Sequence, residues 1–241
     1  MAKIDKTNFT KAEWQRIKQQ RRLQKLSSTD PKPSINESTT ETPKPDNKTA
    51  FVLGNGISRK PISPESLKAY GTTYGCNALY REFSPDYLVA VDVKMIVEIN
   101  KYGYQHTNEV WTNPNKSYKN MKNLNFFHPA KGWSSGPTAL WLASQHGYSK
   151  IYILGFDYKG LDEGKKFNNV YADTFNYKKT NDSATFYGNW LRQTKTVIKD
   201  HPDITYYRVI QADNFCPDEL NSFNNFRTIY VEDFQKIFNL A

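Results

Sequence analysis

The sequence predicts an α/β fold in which a mostly parallel sheet carries helices on both faces, from residue 50 to the C-terminus. From Ala50 onward, short apolar runs alternate with segments of helical periodicity. Several of these runs end in Gly, Asn or Asp, which are the residues of tight turns at the ends of strands. One run, residues 150–154, follows directly on an apolar helical segment and has the composition of a central buried strand. A Rossmann-like sheet is therefore expected.

The first element is an N-terminal basic helix, residues 1–26. Thr10 and Glu13 have the spacing of a capping box, which predicts a helix over residues 11–26. Residues 1–26 hold eight Lys or Arg and two acids, so 8 − 2 = +6 of the net charge of +9 lies there. Its apolar positions are too sparse for a helix that packs alone. We expect it to dock to an acidic protein partner or to nucleic acid, with a solvated tail as the alternative.

A disordered linker is expected over residues 27–49, because this stretch has little to bury and contains four prolines. The domain organisation is therefore a basic helix (1–26), a linker (27–49) and a Rossmann-like domain (50–241). No stretch approaches the roughly 18 apolar residues that span a bilayer, and no apolar run follows the basic N-terminus as in a signal peptide. The expected compartment is the cytoplasm, or the virion if the protein is viral. The Asn-, Lys- and Tyr-rich composition suits a phage or an AT-rich bacterial genome.

Short apolar runs bounded by turn residues predict seven strands in the domain. They are residues 50–53, 72–76, 87–91, 109–112, 150–154, 206–210 and 228–231. Five helices are predicted between and after them, at residues 64–69, 93–102, 136–146, 184–199 and 232–239. The helix at 136–146 is the clearest, because Pro137 suits a first turn and Gly147 suits a C-cap.

The first strand ends in Gly54, Asn55 and Gly56. Two glycines in this position let the backbone approach a phosphate with its N–H groups. A strand-to-helix turn that needs a positive φ at one glycine explains the same residues equally well. The motif alone leaves these two interpretations open.

Polar residues also follow the later strands. They are Asn77, Asp92, Asn113 and Asp157. Strand ends of an open α/β sheet converge on one crevice, so a shared ligand site is expected there, although each residue singly also suits a turn or a helix cap. Ser135 and Gly136 open the helix at 136–146, and Ser135 is expected both to cap it and to attract an anion.

These residues carry a resemblance to a known family. The segments FVLGNGIS, YGCNALY, EVWTNPN, SSGPTALWLASQHGYSKIYILGFDY, NNVYADTFNY and TNDSATFYGNW resemble bacterial CMP-sialic-acid-dependent sialyltransferases of the single-domain Rossmann-like type. The resemblance extends over most of residues 50–210. The segments PDYLVAVD and SSGPTALWLASQHGYSKIYILGFDY are equally similar to domains related to 6-hydroxymethylpterin diphosphokinase. Both families handle nucleotide phosphates, which implies a nucleotide site.

The sialyltransferase resemblance implies roles for single residues. Gly54, Asn55 and Gly56 would approach the donor phosphate, and Asn77 and Ser135 would hold the nucleotide. Asp92 occupies a position where that family has an asparagine, and Tyr171 matches a tyrosine that assists the departing phosphate.

The family's histidine base has no match in this chain. The best-matching position is Thr185, and threonine cannot act as a general base near neutral pH. His128 is the histidine that can reach the crevice, and a hydrogen-bonded loop histidine is its alternative interpretation. Catalytic candidates are therefore Asp92, Tyr171, Thr185 and His128.

Two functions follow from these observations. The first is a nucleotide-sugar-dependent glycosyltransferase that displaces CMP from a sugar, with the nucleotide sugar as substrate and no further cofactor. The sequence has no paired-His spacing, no DxD motif and only two cysteines, so a metal-independent reaction is expected. The second is a non-catalytic nucleotide-binding or assembly protein, anchored by its N-terminal helix.

Overall fold

The computed structural model describes residues 48–240, which belong to one compact unit, Lys44–Ala241. The basic helix predicted at residues 1–26 and nearly all of the linker at 27–49 lie outside the described residues, so both stay predictions. The last linker residue, Thr49, is already the first residue of a strand and is buried. Within residues 48–240, no helix is long and apolar enough to cross a membrane.

The described residues form one sheet of eight strands, all of them parallel. Its strands are β1 (Thr49–Leu53), β2 (Thr72–Cys76), β3 (Tyr87–Val89), β4 (Val110–Thr112), β5 (Asn125–Phe126), β6 (Lys150–Leu154), β7 (Thr205–Ile210) and β8 (Phe226–Tyr230). The spatial order is β5-β4-β3-β2-β1-β6-β7-β8. The chain builds outward from β1 to β5, returns to the other side of β1 and builds outward again. The direction of winding therefore reverses between β1 and β6.

Helices connect most of the strands. They are α1 (Pro64–Leu67), α2 (Val93–Tyr102), α3 (Ser135–Gln145), α4 (Gly188–Asp200), α5 (Asp218–Asn221) and α6 (Val231–Ile237). Short 3₁₀ turns lie at Ile57–Arg59, Asn77–Arg81, Tyr104–His106 and Lys116–Tyr118.

Alternation along the strands sends side chains to two cores, one on each face of the sheet. Ala50 and Val52 of β1 pack with α3 and α4 on one face. Phe51 and Leu53 pack with α1 and α6 on the other. On that second face, α2 covers β3 and β4. The predicted α/β class, with a parallel sheet and helices on both faces, is confirmed.

The expected boundaries differ from the structure where tertiary contacts end or begin an element. The strand expected at 87–91 ends at Val89, because the Val91 N–H donates to Ser135 Oγ instead of continuing the ladder. The helix expected at 184–199 begins at Gly188, and residues 183 and 184 instead pair with residues 165 and 166 in an antiparallel bridge. The last strand, expected at 228–231, is Phe226–Tyr230, and α6 begins at Val231.

Helix α3 links the two halves of the sheet. It follows the edge strand β5 and precedes the central strand β6, and it packs on β1, β2 and β3. Its first residues therefore lie at the carboxyl edge of the sheet, next to the reversal between β1 and β6. Ligand crevices of open α/β sheets form at such reversals.

Candidate functional site

A cavity of about 370 Å³ lies at the carboxyl edge of the sheet, at the reversal between β1 and β6. The ends of β1, β2, β3 and β6, the first turn of α3 and the irregular segment between β6 and α4 form its walls. It brings together eight of the residues that the sequence predicts for the site. These are Gly54, Asn55, Gly56, Asn77, Asp92, Ser135, Gly136 and Thr185.

A chain of hydrogen bonds crosses this edge from β3 to the turn after β2. The Val91 N–H donates to Ser135 Oγ (3.1 Å), and Ser135 Oγ–H donates to Asn77 Oδ1 (2.8 Å). Asn77 Nδ2 in turn lies 3.5 Å from Asp92 Oδ2. Asn77 has a φ of 51°, a conformation that asparagine tolerates better than most residues. Ser135 thereby sets the orientation of the Asn77 amide, with its Nδ2 toward Asp92.

The N-terminus of α3 forms another wall. Ser134 is its N-cap residue, and the Ser134 carbonyl accepts the Thr138 N–H (3.0 Å). The first N–H groups of a helix have no partner within it and carry the positive end of the helix dipole. Ser135 Oγ bonds to Val91 and Asn77 and makes no cap bond, so the expected capping role of this side chain is wrong. The backbone N–H groups of Ser135 and Gly136 remain as the anion-attracting feature.

The glycine turn after β1 is packed against the end of β6. A Cβ at Gly54 would lie 2.5 Å from the Gly155 carbonyl oxygen, and one at Gly56 would lie 2.5 Å from the Asp157 carboxylate. Neither Gly54 nor Gly56 has a positive φ. Glycine is needed here because the two strand ends approach closely, and not because the turn needs a left-handed residue.

Three N–H groups of this turn are already used within the protein. Gly54 N–H donates to Leu154 O (2.8 Å) and Gly56 N–H to Gly155 O (2.9 Å). Ile57 N–H donates to Asn168 Oδ1 (3.0 Å). A phosphate at this turn would have to compete with these bonds, so the first turn of α3 is the better phosphate position.

Asn55 presents a polar atom without a protein partner. Its Nδ2 donates to the Cys76 carbonyl (3.1 Å), and its backbone carbonyl accepts the Val170 N–H (2.8 Å). Its Oδ1 is buried and has no hydrogen-bond partner. The bonds that Asn55 does make tie the turn after β1 to the end of β2 and to residue 170.

Four predicted site residues are not among the residues that line the cavity: Asn113, His128, Asp157 and Tyr171. Asn113 Oδ1 accepts the Lys131 N–H (3.2 Å). His128 is exposed in the loop after β5. Asp157 is buried and accepts hydrogen bonds from the N–H and the hydroxyl of Ser58 and from Asn168 Nδ2. Asp157 therefore ties the end of β6 to the turn after β1.

Tyr171 lies in a buried polar cluster beside the cavity. Its hydroxyl donates to Glu82 Oε1 and accepts from Arg59 Nη2 (3.0 Å). Arg59 also pairs with Glu82 (2.7 Å) and donates from Nε to Gly54 O (2.9 Å). Burial raises the pKa of Tyr171 well above its usual value, which keeps the phenol protonated.

Tyr177, six residues later, lines the cavity instead. Its hydroxyl oxygen accepts the Ala78 N–H (3.3 Å), and burial raises its pKa. Lys94, Asn169 and Lys178 also line the cavity and were not among the predicted site residues. The aromatic density around residues 171–177 is the sequence signal that marks this segment, and it does not tell which tyrosine faces the ligand.

The cavity walls are more basic than acidic. Lys94 and Lys178 line them together with one carboxylate, that of Asp92, and no histidine is among the lining residues. Thr185 lines the cavity, but its side chain is a hydroxyl and is not basic. Within residues 48–240, no group of three or more His, Cys, Asp or Glu side chains is arranged to hold a metal ion. The arrangement suits an anionic ligand that also carries hydrogen-bonding groups and is about as large as an aromatic ring system.

No protein-family model matches this chain, and neither a curated protein nor a solved structure matches it. The resemblance to sialyltransferases therefore stays a prediction.

Proposed function

We propose that the protein binds a nucleotide in the cavity at the carboxyl edge and transfers a sugar from a nucleotide donor, with CMP-sugars as the donor class. The observation that carries this proposal is the Ser135–Asn77 hydrogen bond, which directs the Asn77 amide toward Asp92 beside the first turn of α3 in one cavity. The cavity volume of about 370 Å³ falls within the range of small-molecule sites.

The phosphate of the ligand belongs at the first turn of α3. The Ser135 and Gly136 N–H groups and the helix dipole attract an anion there. Lys178 lines the same cavity and spends one of its three ammonium hydrogens on the Ser183 carbonyl (3.3 Å). The phosphate would thus meet fixed N–H donors and the Lys178 ammonium.

The nucleoside belongs along the Asn77 and Asp92 side of the cavity. Because Ser135 occupies Asn77 Oδ1, Asn77 Nδ2 is left to donate to a ligand oxygen. Its contact with Asp92, at 3.5 Å, is too long to hold it strongly. A carboxylate at a strand end, as at Asp92, suits a ribose hydroxyl or the hydroxyl of an acceptor.

Transfer requires a base at the acceptor and a donor at the leaving group. The acceptor hydroxyl would attack the anomeric carbon, its proton would pass to the Asp92 carboxylate, and the bond from the sugar to the phosphate oxygen would break with its electrons on CMP. The Tyr177 hydroxyl accepts the Ala78 N–H, so its own hydrogen is free to donate to the leaving phosphate. Tyr171 gives its hydrogen to Glu82, so the leaving-group role passes to Tyr177.

Calorimetric titration of the full chain with CMP, UDP and GDP tests the binding step. We expect CMP to bind and to raise the melting temperature, because a ligand that prefers the folded state stabilises it. Asn77→Ala and Ser135→Ala should each weaken CMP binding by about tenfold or more. Asn113→Ala, a matched amide outside the cavity, should leave it unchanged. Absence of binding to all three nucleotides would contradict the proposal.

A specific observation favours a second candidate, a nucleotide-binding protein without catalysis. Thr185 stands where the resemblance implies a histidine base, and no histidine is among the residues that line the cavity. Release of CMP from CMP-sialic acid by the full chain separates the two candidates. Turnover that disappears in Asp92→Asn while CMP still binds supports the transferase. Tight binding of CMP without turnover, over a panel of acceptors, supports the second candidate.

A further inference from the structure

The turn after β2, residues 77–82, contacts residues 171–178, of which Asn176, Tyr177 and Lys178 line the cavity. We call residues 171–178 the wall segment. The Ala78 N–H donates to the Tyr177 hydroxyl (3.3 Å), and Glu82 accepts the Tyr171 hydroxyl. Asn77, the first residue of the turn, lines the cavity itself. One turn therefore contacts both the proposed ligand position and the wall segment.

A buried ion pair lies at the centre of these contacts. Arg81 donates from Nε to Glu98 Oε1 (2.7 Å) and from Nη2 to Glu98 Oε2 (2.7 Å). The Glu98 side chain is 2% exposed and that of Arg81 is 15% exposed. The two parallel bonds fix the plane of the guanidinium, which leaves its remaining N–H groups aimed in set directions.

Those remaining N–H groups bind the wall segment. Arg81 Nη1 donates to Thr174 Oγ1 (2.8 Å), and Nη2 also donates to the Phe175 carbonyl (2.8 Å). Glu98 accepts from Asn176 Nδ2 (2.6 Å). Three consecutive wall residues, 174–176, are thus held by one ion pair. The next two residues along the chain are Tyr177 and Lys178, which line the cavity.

We propose that Arg81 is a positioning residue for ligand binding, which acts by holding residues 174–176 so that Tyr177 and Lys178 face the cavity. This inference rests on the proposed nucleotide site. Arg81 does not itself line the cavity, and Glu98 fixes the guanidinium from behind. The wall is thereby held in its binding position before the ligand arrives, which lowers the entropy cost of binding.

Lysine cannot replace arginine in this role. An ammonium group can pair with Glu98, but it lacks the planar fork that reaches the carboxylate, a hydroxyl and a carbonyl in three directions. Arg81→Lys therefore keeps the buried charge pair while releasing Thr174 and Phe175. This variant tests the position of the wall rather than the presence of the charge.

The test combines hydrogen exchange with CMP titration of the full chain. In Arg81→Lys, we expect amide exchange in the wall segment to accelerate by about tenfold, while exchange in β6 stays unchanged. The dissociation constant for CMP should rise by about the same factor. Arg227→Lys, an exposed arginine on β8 that bonds to backbone carbonyls, is the matched control and should change neither quantity.

A second variant covers the case in which Arg81→Lys fails to fold. Thr174→Val keeps the side-chain shape and the Arg81–Glu98 pair but removes both hydrogen bonds of the hydroxyl, one from Arg81 and one to the Tyr171 carbonyl, so wall exchange should accelerate roughly threefold. Unchanged wall exchange in the folded variants would overturn the inference. So would accelerated exchange with an unchanged CMP dissociation constant. If the wild-type chain binds no CMP, UDP or GDP, the proposed function fails instead, and exchange alone then tells whether Arg81 holds the wall.

Discussion

Few single residues at the carboxyl edge keep polar groups available for a ligand. The turn after β1 donates the N–H groups of Gly54, Gly56 and Ile57 to β6 and to Asn168. Ser135 Oγ is engaged by β3 and Asn77. The groups that remain include Asn77 Nδ2, the Tyr177 hydroxyl hydrogen, the first N–H groups of α3 and the cavity lysines. A ligand of this cavity therefore needs a hydrogen-bond acceptor for Asn77 and a negative charge for α3.

The two cysteines should differ in reactivity. Cys76 lies in the cavity wall, is 4% exposed and donates to the Leu53 carbonyl, and burial raises its pKa to about 12. Only the thiolate reacts with alkylating agents, so Cys76 stays protonated and unreactive at about pH 8. Cys216 is exposed. Iodoacetamide should therefore modify Cys216 alone, as read by peptide mass spectrometry.

Denatured protein is the control for that experiment, since both thiols should react once burial is lost. Equal rates of modification at Cys76 and Cys216 in the folded chain would contradict the burial that sets the Cys76 pKa.

At the scale of elements, the irregular segment between β6 and α4 completes the site. It supplies Phe167, Asn169, Asn176, Tyr177 and Lys178 to the cavity. Buried polar bonds, rather than a helix or a strand, attach it to the sheet. Its amino-terminal part is attached at Asn168, and residues 171–176 are attached at the two arginine–glutamate pairs.

Asn168 is the main attachment at the start of this segment. Its side chain accepts the Ile57 N–H (3.0 Å) and donates to Asp157 (2.9 Å) and to the Lys159 carbonyl (3.0 Å). Asn168→Ala leaves these buried groups without that partner. We expect it to lower the free energy of unfolding by about 1–3 kcal/mol, measured by urea denaturation.

Asn189→Ala is the matched control, because Asn189 is exposed at the start of α4 and accepts one bond from Arg192. Its free energy of unfolding should stay within about 0.5 kcal/mol of wild type. If Asn168→Ala were equally mild, the segment would be held mainly by its other contacts.

At the scale of the whole molecule, the described residues wind outward in both directions from the β1–β6 pair. That topology gathers the ends of β1, β2, β3 and β6 around one cavity. Most of the net charge lies outside the described part of the chain, since 8 − 2 = +6 of the net +9 is in residues 1–26. Attraction of an anionic ligand to the cavity is thus a local property of α3 and the two lysines.

Truncation tests where the domain begins. The Lys48 carbonyl accepts the N–H groups of Ser149 and Lys150, both at 3.0 Å, and Thr49 pairs with Lys150. Removal of residues 1–47 should therefore leave the free energy of unfolding within about 0.5 kcal/mol of the full chain. Removal of residues 1–49 should lower it by about 1–3 kcal/mol, because the N–H groups of Ser149 and Lys150 lose the Lys48 carbonyl and the sheet loses the buried Thr49. Urea denaturation of both truncations measures this, and equal stability of the two would contradict the boundary.

The sequence by itself determined the alternation of strands and helices and the edge at which Gly54, Asn77, Asp92 and Ser135 meet. It could do so because apolar periodicity is a local property and because the ends of parallel strands share one edge. It missed β5, because two residues are too few to show an alternating pattern. Asn125 and Phe126 form a strand only through their pairing with Trp111 and Thr112.

Only the tertiary structure decided which groups face the cavity. Tyr171 and Tyr177 lie in an irregular segment, where the spacing of residues does not predict the direction of their side chains. Bonds to the two arginine–glutamate pairs, which are distant in sequence from this segment, turn Tyr171 toward Glu82 and leave Tyr177 in the cavity wall. The use of the glycine-turn N–H groups by β6 and Asn168 is equally non-local. Hydrogen bonds between residues more than 80 positions apart determine these orientations, and no local pattern encodes them.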